Sequence, residues 1–442
     1  MKNKWNRNAS LELRNSCCVI LLILCAYFFS GTYLQAQIDT SFSRTKVTYT
    51  DYLSMVGQKN LNYAAEKFNV NLADANIENA KVFPDPVIGF GWFDNGMRRM
   101  GMGYGFNSRL ETTLEMGGKR RSRIDLANSE KELTNYLLLN YFRNLRADAT
   151  LFYLTALKNE SLLDVIFSSY QTMHRLATSD SIRYKLGSIT EIDARQSNVE
   201  AGFMLNNVFQ SEVVWKMSMI DLGSLISKTT LDTLIYPTGD FTKFDRDFTL
   251  SQLIVEAQNN RADLLAALQN RDISDKMVKL ARANRILDLD LYSGVTYASY
   301  DYNIVAPTPS FTQVNAGLSI PLKFSNKYAG DLKMAHYSGM QADAMYRQIE
   351  IQIQNEVAQA YYNYLAVEKQ VQQFNNGLLN GAQKVLEGKI YSYKRGETTL
   401  LEVLNAQRTY NDVHQAYHET LYNYAAALVE LERAAGIWDI NF

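Results

Sequence analysis

Two groupings of residues in this 442-residue chain have the types and spacing for chemistry. The run LEMGGKRRSRI, residues 114 to 124, sets Gly117 and Gly118 ahead of Lys119, Arg120, Arg121 and Arg123, the composition of an anion cradle. A phosphate-binding loop needs GxxxxGK[ST], whose backbone amides wrap the phosphates and whose hydroxyl meets magnesium. Thr113 stands at its first glycine and Arg120 at its hydroxyl, so that reading fails. The second grouping is His414 and His418, four apart, which a helix would bring to one face within reach of a single metal ion. Beside the heptad positions Val413 and Tyr417 they read instead as residues flanking a helix groove, and no metal site is assigned. No nucleophile and base pair and no cofactor fingerprint accompanies either grouping, so the expected protein is not an enzyme and has no cofactor.

A formal net charge of −1 makes the basic run a local feature and argues against a nucleic-acid partner. The chain opens with Lys2, Lys4, Arg7 and Arg14, then an apolar run from Cys17 to Phe29, then SGTYLQAQ, the order of a secretory signal peptide over residues 1–36. The apolar run falls short of the roughly 20 residues that span a membrane. All three cysteines, Cys17, Cys18 and Cys25, lie within it, so the mature chain carries no disulfide, and Leu24 ahead of Cys25 does not suit a lipid anchor.

What positions these residues is a repeat. YKLGSITEID from Tyr184 aligns with YKRGETTLLE from Tyr393 at an offset of 209, superposing Gly187 on Gly396 and Asp193 on Glu402. LETTLEMGGKRRSRIDLA aligns with LSIPLKFSNKYAGDLKMA at 208, and AKVFPDPVIG with ANRILDLDLY at 203. Order and spacing predict a tandem duplication. Residues 37–47 form an N-terminal segment, 48–227 and 249–436 the two repeats, 228–248 a linker with room for a short strand, and 437–442 a tail. Thr48 with Asp51, and Thr249 with Gln252, have the spacing of helix-opening capping boxes.

Each repeat holds two alternating runs, at about 86–94 and 104–116, and at 288–302 and 312–324. Phe106, Leu110, Leu114 and Met116 share one face while Arg109, Glu111 and Glu115 share the other; Val314, Leu318 and Leu322 oppose Asn315, Ser319 and Lys323. A soluble sandwich alternates in the same way, but the exported chain has no further strand set to pack against, and four strands cannot close a barrel in lipid unless copies share one. Nearly everything else is helical: Tyr364, Val367, Val371, Phe374 and Leu378, and Tyr410 through Leu431, step by three and four as in a coiled coil. About 60 residues of helix separate each second strand from its YKxG turn, roughly 90 Å of rod.

The segments YKLGSITEIDARQ and YKRGETTLLEVLNAQRTY, the duplicated strand pairs and the closing ALVELERAAG resemble the TolC-like outer-membrane efflux proteins over essentially the whole mature length. The resemblance implies a mainly α-helical homotrimer with a transmembrane β part: four strands per chain in a twelve-stranded barrel and long helical hairpins in a periplasmic tunnel. It implies a passive exit duct in the outer membrane, partnered by a periplasmic adaptor and an inner-membrane proton-driven pump. The EMGGKR junction together with RADLLAALQNRDISDKMVKLARANRILDLDL is most like the cobalt-zinc-cadmium resistance branch, implying heavy-metal cations as cargo. Multidrug or small-molecule efflux and type I protein secretion use the same architecture, and a structural trimeric coiled coil is the rival outside the family.

Carried over by position, Gly187 and Gly396 with Tyr184 and Tyr393 are the tip turns where an adaptor docks. Asp193 and Glu402 are gate residues; three copies of Glu402 would form a ring raising one another's pKa, with Asn405 where some members have a second acid. Tyr393 and Asp193 stand where the family makes a closing hydrogen bond, while its reinforcing arginine falls at Thr398. Arg109, Glu111, Glu115 and Lys323 would line the barrel lumen, and Gly117, Gly118, Lys119 and Arg120 would form the strand–helix junction, its basic cluster facing lipid head groups.

Overall fold

The computed structural model describes residues 43–94, 103–228, 233–241, 246–302, 305, 307–324 and 327–440; the expected signal peptide and the cysteines lie outside them. Strand β1 (Ser43–Val47) leads into helices α1 (Tyr49–Lys59) and α2 (Leu61–Lys81), strands β2 (Val87–Asp94) and β3 (Tyr104–Leu114), the long helix α3 (Lys119–Lys185), α4 (Glu191–Leu225) and strand β4 (Thr233–Pro237). The order then recurs as α5 (Leu250–Asn260), α6 (Ala262–Asn284), β5 (Leu289–Ala298), β6 (Phe311–Ser319), α7 (Lys327–Gln373), a π turn (Phe374–Leu378), α8 (Leu379–Lys394) and α9 (Leu400–Ala435). At 67 residues α3 is on the order of 100 Å long.

β2, β3, β5 and β6 form one antiparallel sheet in that order. The third and fourth strands end before the expected 302 and 324. Pro321 has no N–H to continue a ladder, so β6 stops at Ser319 although the apolar alternation runs on through Leu322 and Phe324. The linker supplies the anticipated short strand, β4, and its parallel partner is β1.

Where these short strands cross the helices, buried tyrosines hold the middle of the molecule together. Tyr52, Tyr153 and Tyr364 have almost no exposed surface. A buried phenol needs a partner for its hydroxyl. That of Tyr153 accepts the Thr238 N–H at 2.9 Å and lies 3.0 Å from the Val47 carbonyl, clamping the ends of β1 and β4. That of Tyr364 accepts from the Arg246 N–H at 3.0 Å and meets the Tyr424 hydroxyl at 3.0 Å, tying the linker to α7 and α9. A second apolar cluster, including Met173, Leu176, Trp215, Tyr393 and Val403, fills the hairpins toward their tips.

Two local expectations are corrected. Thr48 does cap α1, accepting from the Asp51 N–H, but Thr249 makes no side-chain cap at α5, and the Gln252 amide turns to Glu256 instead. The heptad expected through Leu378 is interrupted by the π turn, where Gly377 adopts φ 108°. The segment Asn375-Asn376-Gly377 has poor helix propensity, which lets the rod break there.

Candidate functional site: sheet, junction and helical tip

In an antiparallel sheet, directly paired residues share a face. Ile88 pairs with Leu110, Trp92 with Phe106, Leu291 with Leu318 and Val295 with Val314, giving one continuous apolar face. That face is bare: Phe90 is 76% exposed, Trp92 69% and Val314 75%. The opposite face pairs Gly89 with Arg109, Gly91 with Asn107, Gly294 with Arg109 and with Asn315, and Gly317 with Tyr292. A Cβ at Gly91 would collide with the Asn107 side chain, and one at Gly317 with the Tyr292 hydroxyl, so the glycines let long polar side chains lie flat across the sheet. Arg109 stacks 4.1 Å from the Tyr292 ring centroid and pairs with Glu111 at 3.3 Å. Arg109 and Glu111 thus stand on the polar face. Glu115 and Lys323 do not, because both lie past the strand ends.

Those two belong to the junction, and so does the basic run. Gly117 and Gly118 turn the chain with φ 71° and 72°, in the left-handed region that glycine tolerates best. The Lys119 ammonium is buried against the Asp288 carboxylate, which also accepts the Met116 N–H at 3.1 Å. Arg120 donates to the Lys81 carbonyl at 2.6 Å and Arg123 to the Val82 carbonyl at 3.2 Å, closing the C-terminus of α2, while Arg123 also pairs with Glu115. Lys323 donates to the Asn284 and Ile286 carbonyls at 2.7 and 3.0 Å, closing α6 in the same way. Cations suit helix C-termini because the last carbonyls carry partial negative charge. Lys119, Arg120, Arg123 and Lys323 are therefore a clasp between sheet and helices, which replaces the expectation that this cluster faces lipid; Arg121 is the exposed member.

At the other end of the rods both YKxG turns close alike. The Ser188 N–H reaches the Arg183 carbonyl at 2.8 Å, and the Glu397 N–H reaches Ser392 at 2.9 Å, with Gly187 at φ 74° and Gly396 at φ 77°. The tyrosines differ: Tyr184 is 43% exposed and Tyr393 only 5%. Asp193 is not the partner of Tyr393. It serves as a cap, its N–H bonded to the Thr190 hydroxyl at 3.1 Å and its carboxylate accepting that hydroxyl at 2.8 Å.

The acid beside Tyr393 is Asp180, which sequence reasoning missed. It has no exposed surface and lies 3.5 Å from Arg183 Nη1, while the Arg183 guanidinium sits 5.0 Å from the Tyr393 ring centroid. Burial pushes the Asp180 carboxyl above its usual range, against the opposing pull of Ser197, Tyr393 and Arg183. Burial, together with Asp180, pushes the Tyr393 phenol up to about 12. Glu402 is exposed and paired with Lys389, which with Thr398 holds it below the usual carboxylate range. Asn405 is exposed nearby.

His414 and His418 do share α9, and burial lowers the pKa of both. His414 stacks 4.2 Å from Tyr410, and His418 borders a cavity of about 790 Å³ that includes Glu160, Asp164 and Glu368. Among the described residues, no group of three or more His, Cys, Asp or Glu side chains is arranged to hold a metal ion, and no helix is long and apolar enough to cross a membrane.

Comparison with known proteins places this geometry. A family model described as outer membrane efflux protein matches residues 253–437. The cobalt-zinc-cadmium resistance protein CzcC of Cupriavidus metallidurans is 21% identical over 93% of this chain and 98% of its own. The outer membrane protein TolC of Vibrio cholerae is 21% identical over 65% of this chain and 68% of its own. Among solved structures, CusC superposes with a TM-score of 0.74 at 16% identity, covering 92% of this chain and 96% of that one. With its two-faced sheet, long helical hairpins and YKxG tips, the chain is similar over nearly its whole length to outer-membrane efflux proteins, and its residues 253–437 match that family.

Proposed function

We propose that this chain is the exit duct of a tripartite efflux system and that its cargo is heavy-metal cations. In this reading three copies close a twelve-stranded barrel from β2, β3, β5 and β6, and their hairpins enclose a periplasmic tunnel. A periplasmic adaptor and an inner-membrane proton-driven pump supply the cargo, which leaves passively. The sheet carries the argument. Among the described residues β2 and β6 have no partner on their outer edges, and unpaired strand edges are not tolerated in hydrocarbon. One bare apolar face and one face of Arg109, Glu111, Asn107 and Asn315 suit lipid outside and water inside.

Further support comes from α4, whose outer side exposes Val199, Phe203, Val213 and Met217, a stripe that a second copy would cover. The recurring element order favours a duplication with repeats at 48–227 and 249–436 about the linker 228–248. Exposed apolar residues beside Gly187 and Gly396, Tyr184, Leu186 and Ile192 at one tip and Tyr391 and Leu401 at the other, suit docking of an adaptor. The metal cargo rests on similarity along nearly the whole chain to a protein named for cobalt, zinc and cadmium resistance.

Deleting the gene and comparing growth in zinc, cobalt, cadmium and copper with growth in detergents, dyes and antibiotics tests the cargo. Sensitisation to metals alone, reversed by the wild-type gene, is the expected result; sensitisation to drugs alone would replace metals by small organic molecules. Single-channel recording tests the duct. Folded, inserted trimers that pass no ions would favour a structural coiled coil instead.

A further inference from the structure

Asp180 continues the buried stripe of α3, following Met173 and Leu176 at helical steps, yet it is an acid. Ser197, also without exposed surface, belongs to α4, and Tyr393 to α8, so three helices meet at one carboxylate. The meeting is loose. Neither Asp180 oxygen, nor Arg183 Nη1, nor the Tyr393 hydroxyl has a well-formed hydrogen bond, and the Ser197 hydroxyl donates to the Ala194 carbonyl at 3.2 Å. A carboxylate so placed adds little to packing and is poorly tolerated unless neutralised. Its value lies in what happens when α8 moves away.

Resting on the duct reading above, we propose that the tip opens as α8 parts from α3 and α4, and that Asp180 is the residue that poises the closed tip, joining α8 to α3 and α4 through Tyr393 and Arg183 and becoming hydrated when α8 is released. The charges around it are few. Arg183 faces it from α3 itself and Tyr393 from α8; α4 presents the non-titrating Ser197, with Asp193 acting on Tyr393 from farther away. The pair of Lys389 on α8 and Glu402 on α9 is satisfied at the surface.

The sign of the pH dependence follows. Burial holds the Asp180 carboxyl above its hydrated value, about 3.9 for a free aspartate, so the closed tip binds more protons than the open one. Its contribution to closure is complete below the hydrated pKa and is lost as pH rises through the closed-state value. Acid favours closure and a rise in pH favours opening.

The test is conductance of purified full-length trimers in a planar bilayer between pH 4 and 8. Wild-type current is expected to rise with pH, and Asp180→Asn, of the same shape without the charge, should remove most of that slope. Tyr393→Phe keeps the ring in the core and removes the hydroxyl beside Asp180, and should raise current about twofold, the lower end of what an ordinary hydrogen bond contributes, because this contact is loose. It carries the test if Asp180→Asn trimers assemble poorly. A slope that survives Asp180→Asn and disappears in Asp193→Asn would overturn the proposal and move the sensing carboxylate to Asp193; a Tyr393→Phe current equal to wild type would overturn it as well. Inserted trimers silent in every variant and at every pH would overturn the duct reading and the proposal with it, whereas a uniform current indifferent to Asp180 would overturn the proposal alone.

Discussion

Replacing Lys119 by methionine should loosen the clasp between sheet and helices without touching either core. The Lys119 side chain is 6% exposed and that of Asp288 21%. Loss of one partner from a fully buried pair costs about 3–5 kcal/mol, and from an exposed pair about 0–1 kcal/mol. Asp288 would keep the Met116 N–H and some water, so its carboxylate would be short of one partner rather than stranded. An intermediate cost of about 2 kcal/mol follows, close to a 30-fold shift in the local opening equilibrium. Hydrogen exchange read by mass spectrometry on the intact protein reports this directly, because the Met116 amide is itself bonded to Asp288. Exchange around Met116 and at the start of β5 should quicken about 30-fold, with α9 unchanged as internal reference. Lys119→Met combined with Asp288→Leu should restore most of the protection at the start of β5 by removing the unpaired charge, though not at Met116, whose N–H loses its acceptor, and Arg121→Met on the exposed side should stay within about twofold. If Lys119→Met exchanges no faster than Arg121→Met, the basic run is not a clasp and the reasoning fails.

Gly187→Ala and Gly396→Ala should each cost about 1–2 kcal/mol through the left-handed backbone alone, since nothing lies within 4 Å of either added Cβ; faster exchange confined to the last turns of α3 and α8 would show it, and unchanged protection would contradict it. At the C-terminal end, buried Glu432 and exposed Asp439 share Arg246. Burial, aided by Asp439, pushes Glu432 up to about 8, while its hydrogen bond to Glu432 leads the effects that hold Asp439 below its usual range. The Glu432 contribution is present in acid and lost as pH rises through about 8; that of Asp439 is lost as pH falls below the ordinary aspartate value. Protection of residues 437–440, corrected for intrinsic exchange, should therefore peak between these limits, and Glu432→Gln should flatten the alkaline arm; an alkaline loss that persists in the variant would assign it elsewhere.

Much of this architecture was legible because its physics is local. Alternation exposed all four sheet strands, since each must show one face to lipid or to apolar neighbours and the other to polar groups. It ran past several strand ends, and at Pro321 because a stronger rule intervened. β1 was missed because five residues that pair in parallel with a partner about 190 positions away leave no local signal. The glycines opposite Arg109, Asn107 and Tyr292 were invisible as a set because their reason lies across the ladder. Asp193 could have been read correctly: Thr190 and Asp193 have the capping spacing recognised at Thr48 and Asp51, and the same hydrogen bonds form at both. Asp180 was equally open to view, as an acid on the stripe of Met173 and Leu176 four residues ahead of the YKxG motif.

That motif invites the assumption that the two tips are equivalent, and the residues around it show why they are not. At the offset of 209 that superposes Gly187 on Gly396, Asp180 falls on Lys389, Arg183 on Ser392 and Ser197 on Ala406. One tip buries its acid among helices, while the other holds a lysine at the surface against Glu402. A break in the rod also lies on one side only, because the π turn with Gly377 at φ 108° directly precedes α8, the helix that carries Tyr393. A helix with a weak point above and a loosely bonded anchor below needs less disruption to swing than α3, which runs unbroken for 67 residues. On the proposal that α8 releases to open the tip, the difference between the two tips concentrates on one helix a place to bend and a contact that releases.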